Sequence, residues 1–192
     1  MKQSLTKMPH SERGFSLLEM LLATVILLVG IVTIAQLVPA SILLNYRNRT
    51  DSSALVYAQR ELDFMLSEPV QSTSFTDPNG VYCPIGDTCD LGNPGTPNSL
   101  QGSAVVVTYS SDSSGRNFGQ TLINFGASTV SNYNFTYQDP TDPSGTTYDV
   151  RWAVIITGSN GGVSSKRFIL GIRQTGGNGY FQPITLDGTV SK

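Results

Sequence analysis

Histidine, cysteine and charged side chains are scarce in this chain of 192 residues, and each scarcity narrows the range of functions. The only histidine, His10, lies near the amino terminus, so the rest of the chain has no histidine-based catalytic triad and lacks most common zinc sites. Charged residues make up 14% of the chain, against about 25% in an average globular protein. The net charge is −2, which makes general binding of nucleic acid unlikely on electrostatic grounds. We therefore expect that the protein is not an enzyme, uses no cofactor and does not bind nucleic acid.

The two cysteines, Cys83 and Cys89, lie in a segment rich in proline, glycine and aspartate. An even number of cysteines in a loop indicates an oxidising compartment. Pro84 and Gly86 favour a turn that brings the two cysteines within bridging distance. We expect a disulfide here, with a pair of reduced thiols as the alternative.

A long apolar segment begins close to the amino terminus. From residue 15 to residue 44 the only charged side chain is Glu19, and about 20 apolar residues suffice to cross a bilayer. The run is too long for a secretory signal and has no clear small-residue cleavage site at its end, so we expect it to remain as an anchor. Three basic residues precede the run and two follow it closely, which favours a cytoplasmic amino terminus by a small margin.

The residues Arg13-Gly14-Phe15-Ser16-Leu17-Leu18-Glu19 resemble the cleavage and methylation signature of type IV prepilins. The resemblance covers every signature position and extends to Leu44. It implies that a prepilin peptidase removes a leader, residues 1–14, between Gly14 and Phe15, and that the new amino group of Phe15 is methylated. Gly14 suits such a cleavage site because the absence of a side chain lets the protease approach the backbone.

The same resemblance implies that Glu19 pairs with the Phe15 amine during assembly. A carboxylate in a membrane span costs about 2.5–3.5 kcal/mol at mid-helix and less near an end, so it needs a partner. After cleavage, a cationic amine lies within about one helical turn of Glu19, and a neighbouring subunit shifted along a fibre can neutralise both charges. From the residues alone, a Glu19 side chain that reaches the membrane surface is an equally good explanation.

The helical pattern resumes after a short polar stretch. Apolar residues recur at helical spacing on one predicted face, formed by Leu55, Ala58, Leu62 and Met65. Arg60, Glu61 and Asp63 are predicted to point elsewhere, and Pro69 should end the helix. We therefore predict one helix over 15–68, with a transmembrane half at 15–44 and an amphipathic half at 45–68.

The carboxy-terminal part is predicted to be an antiparallel sheet over 103–192, preceded by a loop at 69–102. Apolar residues alternate in several short runs: 105–109, 133–137, 148–156 and 168–172. The turn at 158–162 joins the last two as a hairpin, and 122–125 and 180–186 are predicted as edge strands. The predicted fold class is α+β and pilin-like, with the sheet covering the amphipathic half of the helix.

The predicted hairpin carries a second resemblance. The runs Tyr148-Asp149-Val150-Arg151-Trp152 and Lys166-Arg167-Phe168-Ile169-Leu170 look like the carboxy-terminal part of PilV-type minor pilins, although any amphipathic hairpin gives a similar pattern. Trp152 is expected in the core. Three loop acids, Asp77, Asp87 and Asp90, leave a calcium site as an alternative, but they lack the spacing of an EF-hand loop, so we expect no metal site.

The resemblance implies a structural function, that of a minor type IV pilin incorporated into a pilus or priming its assembly. The implied partners are other pilins, the prepilin peptidase, an inner-membrane assembly platform and membrane lipid. The implied location is the bacterial inner membrane, with the folded part periplasmic, and then the fibre at the cell surface. A pseudopilin of a type II secretion system shares the same amino terminus and remains an alternative. A DNA-uptake subunit or a membrane-anchored enzyme fits the composition less well.

Overall fold

The computed structural model describes residues 15–108, 119–138, 145–159, 162–176 and 182–192. Its helix and strands, in chain order, are α1 (Leu17–Ser67), β1 (Ser74–Phe75), β2 (Cys89–Asp90), β3 (Ser99–Gly102), β4 (Val105–Thr108), β5 (Gln120–Ile123), β6 (Asn134–Gln138), β7 (Thr147–Ser159), β8 (Gly162–Gln174) and β9 (Ile184–Ser191). The predicted α+β arrangement, a long amino-terminal helix with antiparallel sheets, is confirmed.

The one helix within the described residues, α1, begins and ends within two residues of the predicted bounds. It ends just before Pro69, whose ring excludes the helical conformation at the residue before it. The chain divides into two compact units between Tyr46 and Arg47. We call residues 47–192 the head; it contains the second part of α1 and all nine strands.

The main sheet of the head has five antiparallel strands. Its order is β3-β7-β8-β9, and β6 pairs with the same edge of β7 as β3 does, further towards the start of β7. The predicted hairpin, β7 and β8, forms the centre of the main sheet, and Trp152 of β7 lies opposite Leu170 of β8. Residues 109, 180 and 181, which the sequence placed in strands, and residues 160 and 161 of the predicted turn lie outside the described residues.

The inner face of this sheet packs on the second part of α1. Alternate side chains of β7 and β8 join the helix in one core: Val150, Trp152, Val154, Ile156, Phe168, Leu170 and Ile172 from the strands, and Ala54, Ala58, Leu62 and Met65 from α1. Two details of the predicted helix face were wrong. Leu55 is 37% exposed, and Ala54 takes its place, whereas Glu61 is buried with 2% exposure.

The outer face of the sheet is covered by the two-stranded sheet of β4 and β5. Ile123 and Phe125 pack there against Ala153 and Ile169 in a second apolar cluster. The prediction of an edge strand at 122–125 was therefore wrong in its position, because β5 pairs with β4 alone. A Cβ at Gly171 would lie 2.7 Å from the Cβ of Ile123, so glycine is required for this close approach of the two sheets.

The segment predicted as a loop, 69–102, contains three short strands. β1 pairs with β2, and β3 joins the edge of the main sheet. Strands of two to four residues carry too little alternation to be recognised in a sequence. β3 forms here because β7 supplies hydrogen-bonding partners at the edge of the main sheet, whereas β1 and β2 supply them to each other.

Candidate processing and assembly site

The start of α1 presents the predicted processing residues on an exposed surface. Phe15 is 80% exposed and lies two residues before the first residue of α1. The backbone N–H of Met20 donates to the carbonyl oxygen of Ser16, 3.1 Å away, which closes the first turn. Gly14, the residue before the predicted cleavage point, lies outside the described residues.

Glu19 lies in the first turn of α1 and is exposed. Within the described residues, no side chain forms an ion pair with it. A carboxylate is favourably placed near the positive end of a helix dipole. That interaction is modest, so the charge remains available for a cation from outside the described part of the chain.

The helix surface that follows Glu19 is apolar and fully exposed. Leu17–Asn45 is long and apolar enough to cross a membrane, and none of its most apolar window is buried inside the protein. At 1.5 Å per residue, this stretch reaches about 44 Å, more than the ~30 Å hydrocarbon core of a bilayer. Exposure of so much apolar surface is unfavourable in water, so the segment requires lipid or other apolar helices around it.

The three hydroxyl groups within this stretch form hydrogen bonds to their own helix. The hydroxyls of Thr24, Thr33 and Ser41 each donate to a backbone carbonyl oxygen four residues earlier, at 2.8–2.9 Å. Such bonds remove the cost of placing a hydroxyl in an apolar medium. Glu19 is therefore the one charged side chain on this surface whose neutralisation needs a second partner.

The disulfide loop lies in the head, beside the second part of α1. Cys83 and Cys89 form a disulfide whose two residues are buried. The carboxylate of Asp77 accepts hydrogen bonds from the backbone N–H groups of Tyr82 and Asn79 at 2.7 and 2.8 Å. These bonds, that of Tyr82 above all, hold the pKa of Asp77 below its usual range. Asp77 thus has a structural role that fixes the loop.

Lys166 is a buried cation that ties this loop region to the sheet. It extends from β8, is 1% exposed, and its Nζ donates to the carbonyl oxygens of Ser72 and Gly92. Burial lowers the pKa of Lys166 to about 8. The side chain therefore connects two parts of the 69–102 segment to the centre of the main sheet.

Arg60 and Glu61 form a polar pair on α1, in which Glu61 is buried and Arg60 is half-buried. An Arg60 Nη atom lies 3.0 Å from Oε1 of Glu61, and burial raises the pKa of Glu61 to about 8. The other oxygen, Oε2, is buried and has no hydrogen-bond partner among the described residues. Glu61 is therefore expected to bind a proton near neutral pH, which leaves the positive charge of Arg60 largely uncompensated.

Sequence reasoning missed both of these buried groups, although the patterns contain a signal for each. Glu61 continues the helical spacing of Ala54, Ala58 and Met65 on the buried face. Lys166 occupies the same face of β8 as Phe168, two residues later. The prediction turned Glu61 away from the apolar face, and it made no assignment for Lys166, whereas the position of each residue in its repeat indicates the core.

Within the described residues, no three His, Cys, Asp or Glu side chains lie close enough together to hold a metal ion. The predicted functional residues fall into two separate groups: Phe15 and Glu19 at the start of the exposed helix, and the two cysteines in the head.

Comparison with known proteins identifies the same amino-terminal segment. A family model described as the prokaryotic N-terminal methylation motif matches residues 9–35. No curated protein and no solved structure matches the chain. The motif supports a type IV pilin-like or pseudopilin-like protein, which is a structural type of protein.

Proposed function

We propose that this chain is a minor type IV pilin, a subunit that is cleaved between Gly14 and Phe15, methylated at Phe15 and assembled into a fibre through its apolar helix. One observation carries the proposal. The methylation motif at 9–35 leads directly into an apolar helical surface that is fully exposed, whereas the head has a complete core of its own. The exposed surface needs partners that only lipid or neighbouring helices supply.

The assembly step follows from the chemistry of the helix start. Cleavage creates a cationic amine on Phe15, four residues before the Glu19 carboxylate. A single chain in a membrane keeps both groups near the interface, where water reduces their interaction. In a bundle of such helices, the amine of one subunit neutralises Glu19 of another, and apolar contacts along 15–44 supply most of the favourable free energy.

The organisation of the mature chain follows from this role. Residues 15–44 are the anchor and assembly helix, and residues 45–68 connect it to the folded part. The amino terminus is cytoplasmic before cleavage and the head periplasmic, a location that the disulfide favours because periplasmic cysteines are kept oxidised.

The experiment compares Glu19→Val with Thr24→Val as a matched control. Thr24 lies in the same apolar stretch, and its hydroxyl bonds only to its own helix. Both variants should be cleaved and inserted in the membrane, since Glu19→Val removes a charge. Glu19→Val should be incorporated into fibres poorly, because an uncompensated buried amine costs about 3–5 kcal/mol. Incorporation of Glu19→Val at the level of Thr24→Val would refute the proposed pairing.

A pseudopilin of a type II secretion system remains the second candidate, since it shares the whole amino-terminal motif. The resemblance of the β7–β8 hairpin to PilV-type minor pilins favours the pilus. Deletion of the gene should reduce surface pili and leave protein secretion unchanged. Loss of secretion with normal pili would assign the chain to the secretion machine.

A further inference from the structure

A groove of about 460 Å³ opens in the head between α1, the disulfide loop and β6. This volume lies in the range of small-molecule sites, about 300–1,000 Å³. Its lining combines three kinds of group: the cation of Arg60, the amides of Asn79 and Gln138, and the aromatic rings of Phe135 and Tyr137. Among the described residues that line the groove, Arg60 is the only charged one. We call this feature the Arg60 groove.

Arg60 is held in place before any ligand arrives. One Nη atom donates to the carbonyl oxygen of Val81 at 2.9 Å as well as to Glu61. Three tyrosine rings surround the guanidinium at 5.1–5.4 Å from its central carbon, those of Tyr57, Tyr82 and Tyr137. An ordered cation loses little conformational entropy on binding, which favours affinity.

The rim of the groove is equally well fixed. Cys83, which lines it, is bonded to Cys89, and the Asp77 carboxylate holds the loop that includes Asn79 and Val81. On the opposite side, Gln138 and Tyr137 belong to β6, which pairs with β7. The groove is therefore preformed, as small-molecule sites usually are.

The charge of the groove defines the ligand class. Because burial raises the pKa of Glu61 to about 8, the guanidinium keeps most of its charge for a ligand near neutral pH. One cation matches a monoanion, whereas phosphate groups usually require several cations or backbone donors. A purely apolar acid would displace water from the two exposed amides without replacing its hydrogen bonds, which lowers affinity.

We propose that the Arg60 groove binds an acidic sugar, with its carboxylate on Arg60, its hydroxyls on Asn79 and Gln138, and one ring face against Tyr137. A sugar acid provides all three kinds of contact in one small unit. The site does not include the apolar segment 15–44, so the proposal stands or falls separately from the assembly function.

The test is a ligand-observed NMR titration of the chain in detergent, with glucuronate and glucose as probes. The two differ only in the carboxylate. Glucuronate should bind with a dissociation constant of about 1 mM, usual for one sugar ring, and glucose at least about tenfold more weakly. Arg60→Gln should weaken glucuronate binding by about tenfold or more.

Arg167→Gln is the matched control, because Arg167 is a more exposed arginine that pairs with Asp187 on the main sheet. It should bind glucuronate like the unmodified chain. Since Arg60 also contacts buried Glu61, fluorescence of Trp152 will show whether Arg60→Gln is folded. If it is not, Gln138→Ala, at an exposed position of β6, should still reduce affinity about threefold.

Three results would overturn the proposal. Equal binding of glucose and glucuronate would remove the role of the carboxylate. Tighter binding of an amide-capped glutamate than of glucuronate would identify an acidic peptide as the ligand. Absence of glucuronate binding at about 20 mM, well above the expected dissociation constant, would exclude the site.

Discussion

Glu61 makes the stability of the head depend on pH. The folded state raises the pKa of this carboxyl from 4.5 to about 8, because burial disfavours the charged form. Between these two values the unfolded chain has an ionised Glu61, and the folded chain still binds the proton. The free energy of unfolding therefore falls as pH rises through this range.

If the whole pKa difference between the folded and unfolded states is counted, the free energy of unfolding is lower by about 4–5 kcal/mol above pH 8 than at acidic pH. Rearrangement around the ionised carboxylate reduces this loss, as does its pairing with Arg60 at 3.0 Å. We expect a decrease of about 2–4 kcal/mol between pH 5 and pH 8. Above about pH 8, Lys166 contributes the opposite slope, because its lowered pKa makes the folded state release a proton before the unfolded state does.

The assay is denaturant unfolding of the mature chain in detergent at several pH values, followed by the fluorescence of Trp152. This is the only tryptophan, and it is fully buried in the head. Glu61→Gln keeps the shape of the side chain and should abolish most of the slope between pH 5 and pH 8. Asp63→Asn removes the same charge from an exposed position of α1 and should retain the slope. An unmodified chain with a flat profile, or an unchanged slope in Glu61→Gln, would refute the reasoning.

Other predictions concern the contacts that organise the head. Lys166→Met should destabilise the head by about 1–3 kcal/mol and speed amide exchange in the 69–102 segment, because two carbonyl oxygens lose their donor. The control is Arg167→Met, which loses a more exposed ion pair. It should destabilise the head by about 0–1 kcal/mol and leave amide exchange unchanged. Gly171→Ala should cost about 1–3 kcal/mol in thermal or chemical unfolding, because its Cβ would meet the second sheet at 2.7 Å. Gly162→Ala, where the nearest atom is 3.8 Å away, should cost less. Alkylation of the exported, non-reduced protein should label neither cysteine, and free thiols at both positions would contradict the disulfide.

The elements that sequence predicted well are those with long periodic patterns. The bounds of α1 follow from a continuous apolar run, then from apolar residues at helical spacing, and finally from Pro69. The central hairpin follows from alternation over 148–156 and 168–172, on the two sides of a glycine-rich turn. In both cases local sequence and tertiary packing favour the same structure.

The features that sequence did not predict depend on contacts between distant residues. The alternation in β5 predicts a strand, but it does not indicate which strand pairs with it. The sequence therefore did not predict that β5 pairs with β4 and covers the outer face of the main sheet. Glu61 was assigned to solvent by its charge, and its burial depends on the neighbouring Arg60, which lies among tyrosines from two other segments. For the candidate site, the motif at 9–35 was apparent from the residues alone, because it is a contiguous chemical signal.

The most direct test of the proposed function is the amino-terminal mass of the protein in sheared fibres from a host with an active prepilin peptidase. The account predicts a chain that begins at Phe15 and carries one methyl group on its amino nitrogen. Gly14→Ala should slow cleavage strongly in the same assay, because a side chain at that position hinders the peptidase. An intact chain that begins at Met1, in membranes or in fibres, would contradict the central claim.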